Sequence, residues 1–394
     1  MSDSRGRLLF ISPQPFFEWR GSPIRIASNV QILAEAGFEV DLLTLPVGEE
    51  KTIPGVRVLR VPNVIGARRL PIGPSLSKLV FDVVLLFAAA RLARRMRYRY
   101  VHAVEDAGPI GLLAARLAGG RFVFEIHSDP DSYRGGWIRN IIMKAYACVM
   151  RRCIRRADAV IATGTGIAEQ ANQVRAGSRV VSIADVPSSR MEPDPDRAAE
   201  HRAELLKGDE SRLVTYVGSF ATYQGVDIVF EMMPIVRASR ADVRFVIIGG
   251  SEEEIEERRS WLRERNVADA VSFMGRMSPD DLPHALRASD ILLCPRAGGT
   301  NSPLKLMDYM KAARAILAAD APANRVLLDE SIAQLVPATA DGFANGTLEL
   351  LNDVERSERL GSAARKVFDE SYGLDRFRLQ LVGVYDEMLE RIDR

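Results

Sequence analysis

Cysteine is scarce in this chain. Cys148, Cys153 and Cys294 lie in apolar or helical settings with no metal-ligand spacing. That excludes a disulfide scaffold and a thiolate metal site, and fits a reducing cytosol. An excess of charge of either sign is also missing. Lys+Arg 53 against Asp+Glu 52 leave a formal net charge of +1, so no overall field argues for a nucleic-acid partner. Long apolar runs are absent, because the longest, Val83 to Ala90, falls far short of the ~20 residues a membrane span requires. The first residues, Met-Ser-Asp-Ser-Arg-Gly-Arg, enter a predicted strand without an apolar leader, so a cytoplasmic protein is expected. No Gly-x-Gly-x-x-Gly opens a first helix, which argues against an ordinary dehydrogenase. No carboxylate-rich stretch matches a Mg²⁺ or Mn²⁺ site, and no metal is expected.

What is present is a repeated alternation of strand and helix. At 394 residues the chain exceeds one ordinary core, so two domains are expected. Leu8 to Ser12 reads as a buried strand. A helix opens at Gly21-Ser22-Pro23-Ile24-Arg25 and runs to about Ala36, where Gly37 stops it. Val40 to Thr44 completes a parallel βαβ unit. Strands follow at Val56–Val61, Tyr100–Val104, Arg121–Ile126, Ala157–Ala162 and Val180–Ala184. Residues 185 to 212 read as linker plus a surface helix. The alternation then restarts with strands at Leu213–Val217, Val243–Ile248, Val271–Met274, Ile291–Cys294, Ala315–Ala318 and Ala333–Val336. Helices near 342–353 and 355–370, and one from Leu374, finish the chain. The expected fold class is α/β: two doubly wound, Rossmann-like domains facing across a cleft, with ligands beyond the carboxyl ends of the strands.

The segment Pro295 to Asp308 carries the chemistry. Ser302 suits an N-cap and Pro303 the first helical position, which places Lys305 at N3. A cation there faces the positive end of the helix dipole, a mismatch on the order of 0.3–1 kcal/mol. No Asp or Glu lies between Pro295 and Lys305, and Arg296 adds a second positive charge. A bound phosphate would relieve the mismatch, and free helix N–H groups would help to hold it. Asp308, one turn on, is placed for a sugar hydroxyl. The alternative is an ordinary strand–loop–helix with a solvated Lys. Ser22-Pro23-Ile24-Arg25 repeats the pattern of Ser302-Pro303-Leu304-Lys305, which suggests two helix heads aimed at ligand.

Two further features leave alternatives open. An apolar segment, Leu79 to Ala90, runs into Arg91, Arg94, Arg95, Arg97 and Arg99. It fits a core-packing helix with a basic last turn, the preferred reading, or a helix lying on an anionic membrane. Arg151, Arg152, Arg155 and Arg156 carry the same ambiguity. Among the histidines, His127 ends a strand and is placed for chemistry, whereas His102 lies inside one and reads as core. His201 and His284 fall on polar helical stretches and receive no role.

Over essentially its whole length the chain resembles the family 4 glycosyltransferases of the GT-B fold. A glycine loop after the first strand is matched at Gly21. The His after an apolar strand is matched by Phe124-Glu125-Ile126-His127. A glycine turn opening the second domain is matched by Gly218, with Gln224-Gly225 in place of the usual Lys-Gly. The family's Glu-x7-Glu segment is matched in spacing by Thr300 to Asp308. Both acidic ends are changed here, and Ser219 and Gln224 stand where the family places cations, so Arg296 and Lys305 would do that work.

The resemblance implies residues 1–187 as an acceptor-binding domain and 188–374 as a donor-binding domain. Residues 375–394 form a helix packing back on the first. It implies a retaining enzyme, independent of metal and cofactor, that moves a sugar from a nucleotide-diphospho-sugar to a hydroxyl of a glycan, lipid-linked or small-molecule acceptor. Gly218, Ser219, Gln224, Arg296, Thr300, Asn301, Ser302, Leu304, Lys305 and Asp308 would line the donor side. Gly21, Ser22 and Arg25 would line the acceptor side, and His127 would contact the sugar or a proton at the reacting centre. A peripheral position at the inner face of the plasma membrane is part of this expectation. The rival readings are a catalytically weak or inactive nucleotide-sugar-binding protein and a sugar-nucleotide epimerase on the same fold.

Overall fold

The computed structural model describes residues 5–18, 21–68, 70, 75–127, 137–174, 180–206, 208–298 and 302–390. The chain divides into two compact units, residues 1–185 with 375–394, and residues 186–374.

The first unit contains β1 (Arg7–Ile11), α1 (Gly21–Glu35), β2 (Glu39–Thr44), β3 (Val56–Arg60), α2 (Leu76–Met96) and β4 (Tyr100–Val104). It continues with α3 (Gly108–Ala118), β5 (Arg121–Ile126), α4 (Trp137–Arg156), β6 (Ala159–Ala162), α5 (Thr165–Val174) and β7 (Val180–Ser182). Its strands pair in parallel in the order β3-β2-β1-β4-β5-β6-β7. The order reverses direction between β1 and β4, the point at which open α/β sheets take ligands. α1 ends as the sequence predicts. Gly37 takes φ +95, a conformation only glycine adopts without strain, and Phe38 N–H reaches back to the Leu33 carbonyl at 3.1 Å.

Side chains alternate across the sheet, so the strands feed two faces. Leu9, Ile11, Val101, Ala103, Phe122 and Phe124 pack under α2 to α5. α2 meets this face through Phe81, Leu85, Ala89 and Ala93, one side chain per turn and all buried. The core-packing role preferred from the sequence is therefore present. The opposite stripe of the same helix, Leu76, Leu79, Val80, Val83 and Phe87, is exposed, with Phe87 at 70 %. The last helix of the chain (Leu374–Glu390) belongs almost wholly to this unit. Its Tyr385 ring packs against Phe38 and Tyr100, with centroids 5.1 and 5.3 Å away.

The second unit contains α6 (Pro195–Leu206), β8 (Arg212–Val217), α7 (Val226–Ser239), β9 (Val243–Ile248), α8 (Glu252–Arg263), β10 (Val271–Gly275), α9 (Leu282–Ala288) and β11 (Ile291–Cys294). Then come α10 (Lys305–Ala312), β12 (Ala315–Ala319), α11 (Pro322–Arg325), β13 (Gln334–Val336), α12 (Ala340–Asn352) and α13 (Val354–Ser371). α14 (Leu374–Glu390) follows and belongs almost wholly to the first unit. The sheet is again parallel, in the order β10-β9-β8-β11-β12-β13. Its switch point lies between β8 and β11. Gly218 follows the first of these strands and Pro295 the second.

Tyr309 of α10 holds that switch point together. Its buried hydroxyl accepts from Val217 N–H at 3.1 Å and donates to the Leu293 carbonyl at 3.1 Å. One side chain thus joins the ends of both strands and sets the height of α10 above them.

The start of α10 departs from the expectation. Ser302 does not cap it and Lys305 is not its third residue. The helix begins at Lys305, with Leu304 already in a helical conformation and no side-chain cap. Before it, Leu306 N–H bonds to the Pro303 carbonyl and Met307 N–H to the Leu304 carbonyl, both at 3.0 Å. This tight i→i+3 turn consumes amides that the sequence reading left free for phosphate. Thr300 and Asn301 lie outside the described residues.

Tyr309→Phe removes the only atom that satisfies the Val217 N–H through α10. We expect a loss of ~1–3 kcal/mol, the cost of unpaired buried groups, read as a lower urea midpoint. An unchanged midpoint would mean the strand ends are held by other contacts.

Candidate active site

In the second unit, strand β8 delivers Gly218 directly beneath α10. Gly218 has φ +154, and a Cβ there would lie 2.7 Å from Lys305 Nζ and 2.7 Å from the Tyr216 hydroxyl. The absence of a side chain is what leaves room for the lysine tip. Lys305 Nζ sits 4.4 Å from the Tyr216 ring centroid. It is buried and has no hydrogen-bond partner. Burial lowers its pKa to about 8, and the nearby Arg296 charge acts in the same direction. An unpaired buried ammonium at the switch point of a sheet makes Lys305 a candidate anion-binding group.

The other donor-side residues gather around it unevenly. Arg296 donates through Nε to the Gly298 carbonyl at 2.9 Å, and its guanidinium lies 5.7 Å from the Tyr223 ring centroid. Gln224 has a buried Oε1 with no hydrogen-bond partner, one of several such polar atoms in this unit. Gly225 follows with φ +71, where a Cβ would lie 2.7 Å from the Pro295 carbonyl oxygen. The 222–225 turn is thereby pressed against the end of β11. Ser219 is exposed, and its carbonyl accepts from the Tyr216 hydroxyl at 2.9 Å. Ser302 and Leu304 flank the turn before α10 and are partly buried.

Asp308 has a different partner from the expected sugar hydroxyl. Its two oxygens accept from Ser188 N–H at 2.8 Å and Ser188 Oγ at 2.7 Å. Burial outweighs those bonds and raises its pKa to about 6. The carboxylate ties α10 to the segment that enters the second unit.

In the first unit, the head of α1 follows β1, and His127 follows β5. His127 Nδ1 lies 3.2 Å from Ser22 Oγ, and Nε2 lies 3.0 Å from Glu125 Oε1. Ser22 and His127 are therefore brought together at the head of α1. Gly21 opens α1 with empty space where a Cβ would stand.

Arg25 needs correction. It is 1 % exposed, and its Nε donates to Glu125 Oε1 at 2.5 Å. Its Nη1 donates to the Ala184 carbonyl at 2.8 Å and to Asp185 at 3.1 Å. The first-turn cation of α1 finds its anion inside the protein and does not offer a charge to ligand. The two helix heads are alike in sequence and opposite in electrostatics.

The residue missed from the sequence is Glu125. It is fully buried, and Arg25, His127, Asn29 and His102 surround its carboxylate. The signal was available: a lone Glu in an apolar strand, two residues before His127 and so on the same face. His284 also differs from expectation. It is buried, with Nδ1 accepting from Asp194 N–H at 2.9 Å.

Two parallel α/β units, each with polar groups at its switch point, define a glycosyltransferase of the GT-B fold. A model of the glycosyl transferases group 1 matches residues 197–367, and one of the glycosyl transferase 4-like domain matches residues 20–184. The chain belongs to glycosyltransferase family 4. It is 24 % identical over 393 residues to a phosphatidyl-myo-inositol mannosyltransferase of Mycolicibacterium smegmatis, covering 96 % of this chain and 93 % of that one. Among solved structures, sucrose-phosphate synthase from Thermosynechococcus elongatus superposes with TM-score 0.78 at 20 % identity, over 98 % of this chain and 100 % of that one. Anabaena HepE in complex with UDP-glucose gives TM-score 0.72 at 15 % identity, over 97 % and 100 %. The chain is thus an enzyme of the glycosyltransferase class.

The contrast between the two cations is testable by stability alone. Arg25→Met leaves Glu125 buried without its main countercharge, and a loss of ~3–5 kcal/mol is expected. Lys305→Met removes an unpaired buried charge and should leave the melting temperature of the ligand-free protein unchanged or higher. Because Lys305 holds its proton less tightly than the ordinary 10.5, the unfolded chain binds more protons between pH ~8 and ~10.5. Wild-type stability therefore gains a contribution across that window that Lys305→Met lacks. A lower melting temperature for Lys305→Met at neutral pH would contradict the assignment.

Proposed function

We propose that the enzyme transfers a sugar, with retention, from a nucleotide-diphospho-sugar to a hydroxyl acceptor, and that protein cations rather than a metal compensate the leaving diphosphate. The observation that carries this reading is the unpartnered Lys305 ammonium beside Gly218 at the end of β8. Departure of a nucleoside diphosphate builds negative charge on its phosphate oxygens, and a preorganised cation in a buried site stabilises that charge strongly. Arg296 is the second cation. The unsatisfied Gln224 Oε1 supplies an acceptor for a ligand hydroxyl or N–H. Asp308 contributes through Ser188 and the placement of α10, and the ribose contact expected of it would add to that role. Binding of UDP-glucose by Anabaena HepE, at the same fold, agrees with a nucleotide-sugar donor here.

For the acceptor we favour a lipid-linked hydroxyl at an anionic membrane face. Among the described residues no helix is long and apolar enough to cross a membrane. The exposed stripe of α2 from Leu76 to Phe87 instead continues into exposed Arg91, Arg94 and Arg95. Apolar side chains followed by arginines along one helix face match an interfacial helix and the charge of an anionic bilayer. The mycobacterial relative is named for a phosphatidylinositol acceptor, which agrees with that choice.

A thermal-shift screen against nucleoside diphosphates and their sugar conjugates should give a rise for at least one base, since a ligand of the native state stabilises it. The rise should vanish in Lys305→Met; its persistence would move the phosphate site elsewhere. Separately, the protein should co-sediment with anionic but not neutral vesicles, and Phe87→Asp should abolish that. Equal binding to both vesicle types would end the membrane assignment.

A further inference from the structure

The carboxylate of Glu125 is the best-connected buried group of the first unit, and the transfer reaction as set out above does not use it. Oε1 accepts from Arg25 Nε at 2.5 Å and lies 3.0 Å from His127 Nε2. Oε2 accepts from Asn29 Nδ2 at 2.8 Å and lies 2.8 Å from His102 Nε2, at an angle outside hydrogen-bond geometry. Beyond these partners the network continues in both directions. His102 Nδ1 is 2.6 Å from the Tyr385 hydroxyl on α14, and His127 Nδ1 is 3.2 Å from Ser22 Oγ at the head of α1.

The two rings are therefore placed in different states. Tyr385 is fully buried with its hydroxyl 2.6 Å from His102 Nδ1, and the Glu125 carboxylate 2.8 Å from Nε2 favours the tautomer in which Nδ1 accepts the phenol proton. That nitrogen accepts, so the His102 proton sits on Nε2 and the ring is neutral. His127 Nδ1 faces Ser22 Oγ at 3.2 Å, and a serine hydroxyl either gives or takes a hydrogen bond. Glu125 and Asp185 set two carboxylates against the one Arg25 charge, which leaves a place for one further cation, and His127 is the group in position beside Glu125. Glu125 also lies near the end of β5, two residues before His127, so its hold on the ring is set by the strand end.

We propose that Glu125 is a positioning residue that locks the His127 ring with Nε2–H on the carboxylate and presents Nδ1–H at Ser22, so that His127 acts as a hydrogen-bond donor at the head of α1 and not as a base. The activity part of the test rests on the transferase reading above; the spectroscopic part does not. Among the described residues, the titratable and charged groups acting on His127 are Glu125, Arg25, His102 and Glu105. Burial and the Arg25 charge work against its imidazolium, but the hydrogen bond and charge of Glu125, with Glu105 behind it, outweigh them and raise its pKa. Burial lowers that of His102. Glu125 itself is held well below the usual carboxylate range, since Arg25 and both rings outweigh its burial.

The test is ¹⁵N-histidine NMR on the full chain across pH. The protein has four histidines, assigned here with His102→Gln and His127→Gln. His127 should titrate above the ordinary value of 6.5, and His102 should stay neutral with its proton on Nε2. His127 titrating at or below 6.5, or both rings titrating together, would overturn the proposal whether or not any transfer is found. Once a donor and acceptor are in hand, Glu125→Gln should lower kcat at least about tenfold. It should also move the high-pH limb of the kcat profile to lower pH, and leave the donor KM within about twofold. A uniform loss at every pH, with the limb unmoved, would reduce Glu125 to a packing role. Should the Gln variant not fold, Glu125→Asp keeps the charge on a shorter stem. It should retain the limb of the wild type while losing kcat; a limb moved to lower pH despite the retained charge would contradict the proposal.

Discussion

A buried ammonium with no anion is the constraint around which the second unit is arranged. Lys305 cannot reach water freely, and no carboxylate among the described residues comes to it. Everything beside it serves to keep that position open. Gly218 contributes no side chain, Tyr216 offers a ring face, and Tyr309 fixes the height of α10 above the strand ends. A core built only for stability would fill such a spot with an apolar residue. Retaining the lysine makes sense when the missing partner arrives as a ligand.

The two units begin their helices with the same four-residue pattern and resolve it in opposite ways. In the first, β5 supplies Glu125, and Arg25 is absorbed into a buried network with Asp185, His102, His127 and Asn29. In the second, the corresponding charge stays unmatched. The first unit therefore presents hydrogen-bonding groups, Ser22 and His127, where the second presents net positive charge. That division suits an acceptor recognised by its hydroxyls and a donor recognised by its phosphates.

The architecture was legible in the sequence because its signals are short-range: apolar strand runs, helices stopped by glycine as at Gly37, and a restart of the pattern near Leu213. The site was legible in part. Lys305, Arg296, Gly218 and His127 could be named because each sits at a strand end or a helix head. The role of Arg25 could not, since its partner Glu125 lies a hundred residues away and only the sheet order brings them together. The start of α10 was misplaced for a local reason. Ser-Pro reads as a cap, but here the proline carbonyl accepts an i→i+3 bond and the helix opens two residues later. That Ser188 donates to both oxygens of Asp308 was not readable, because nothing in the sequence announces the pairing.

The central claim is that the Lys305 ammonium receives the diphosphate, and proton uptake on binding reads it directly. At pH ~8 the free lysine is about half protonated, and an anion placed against it should draw the missing fraction of a proton from solution. Calorimetric titration of the nucleoside diphosphate in buffers of different ionisation enthalpy measures that fraction. Uptake approaching about half a proton in the wild type, and none in the residual binding of Lys305→Met, is the predicted result. Tight binding with no uptake, or uptake that persists in the variant, would contradict it.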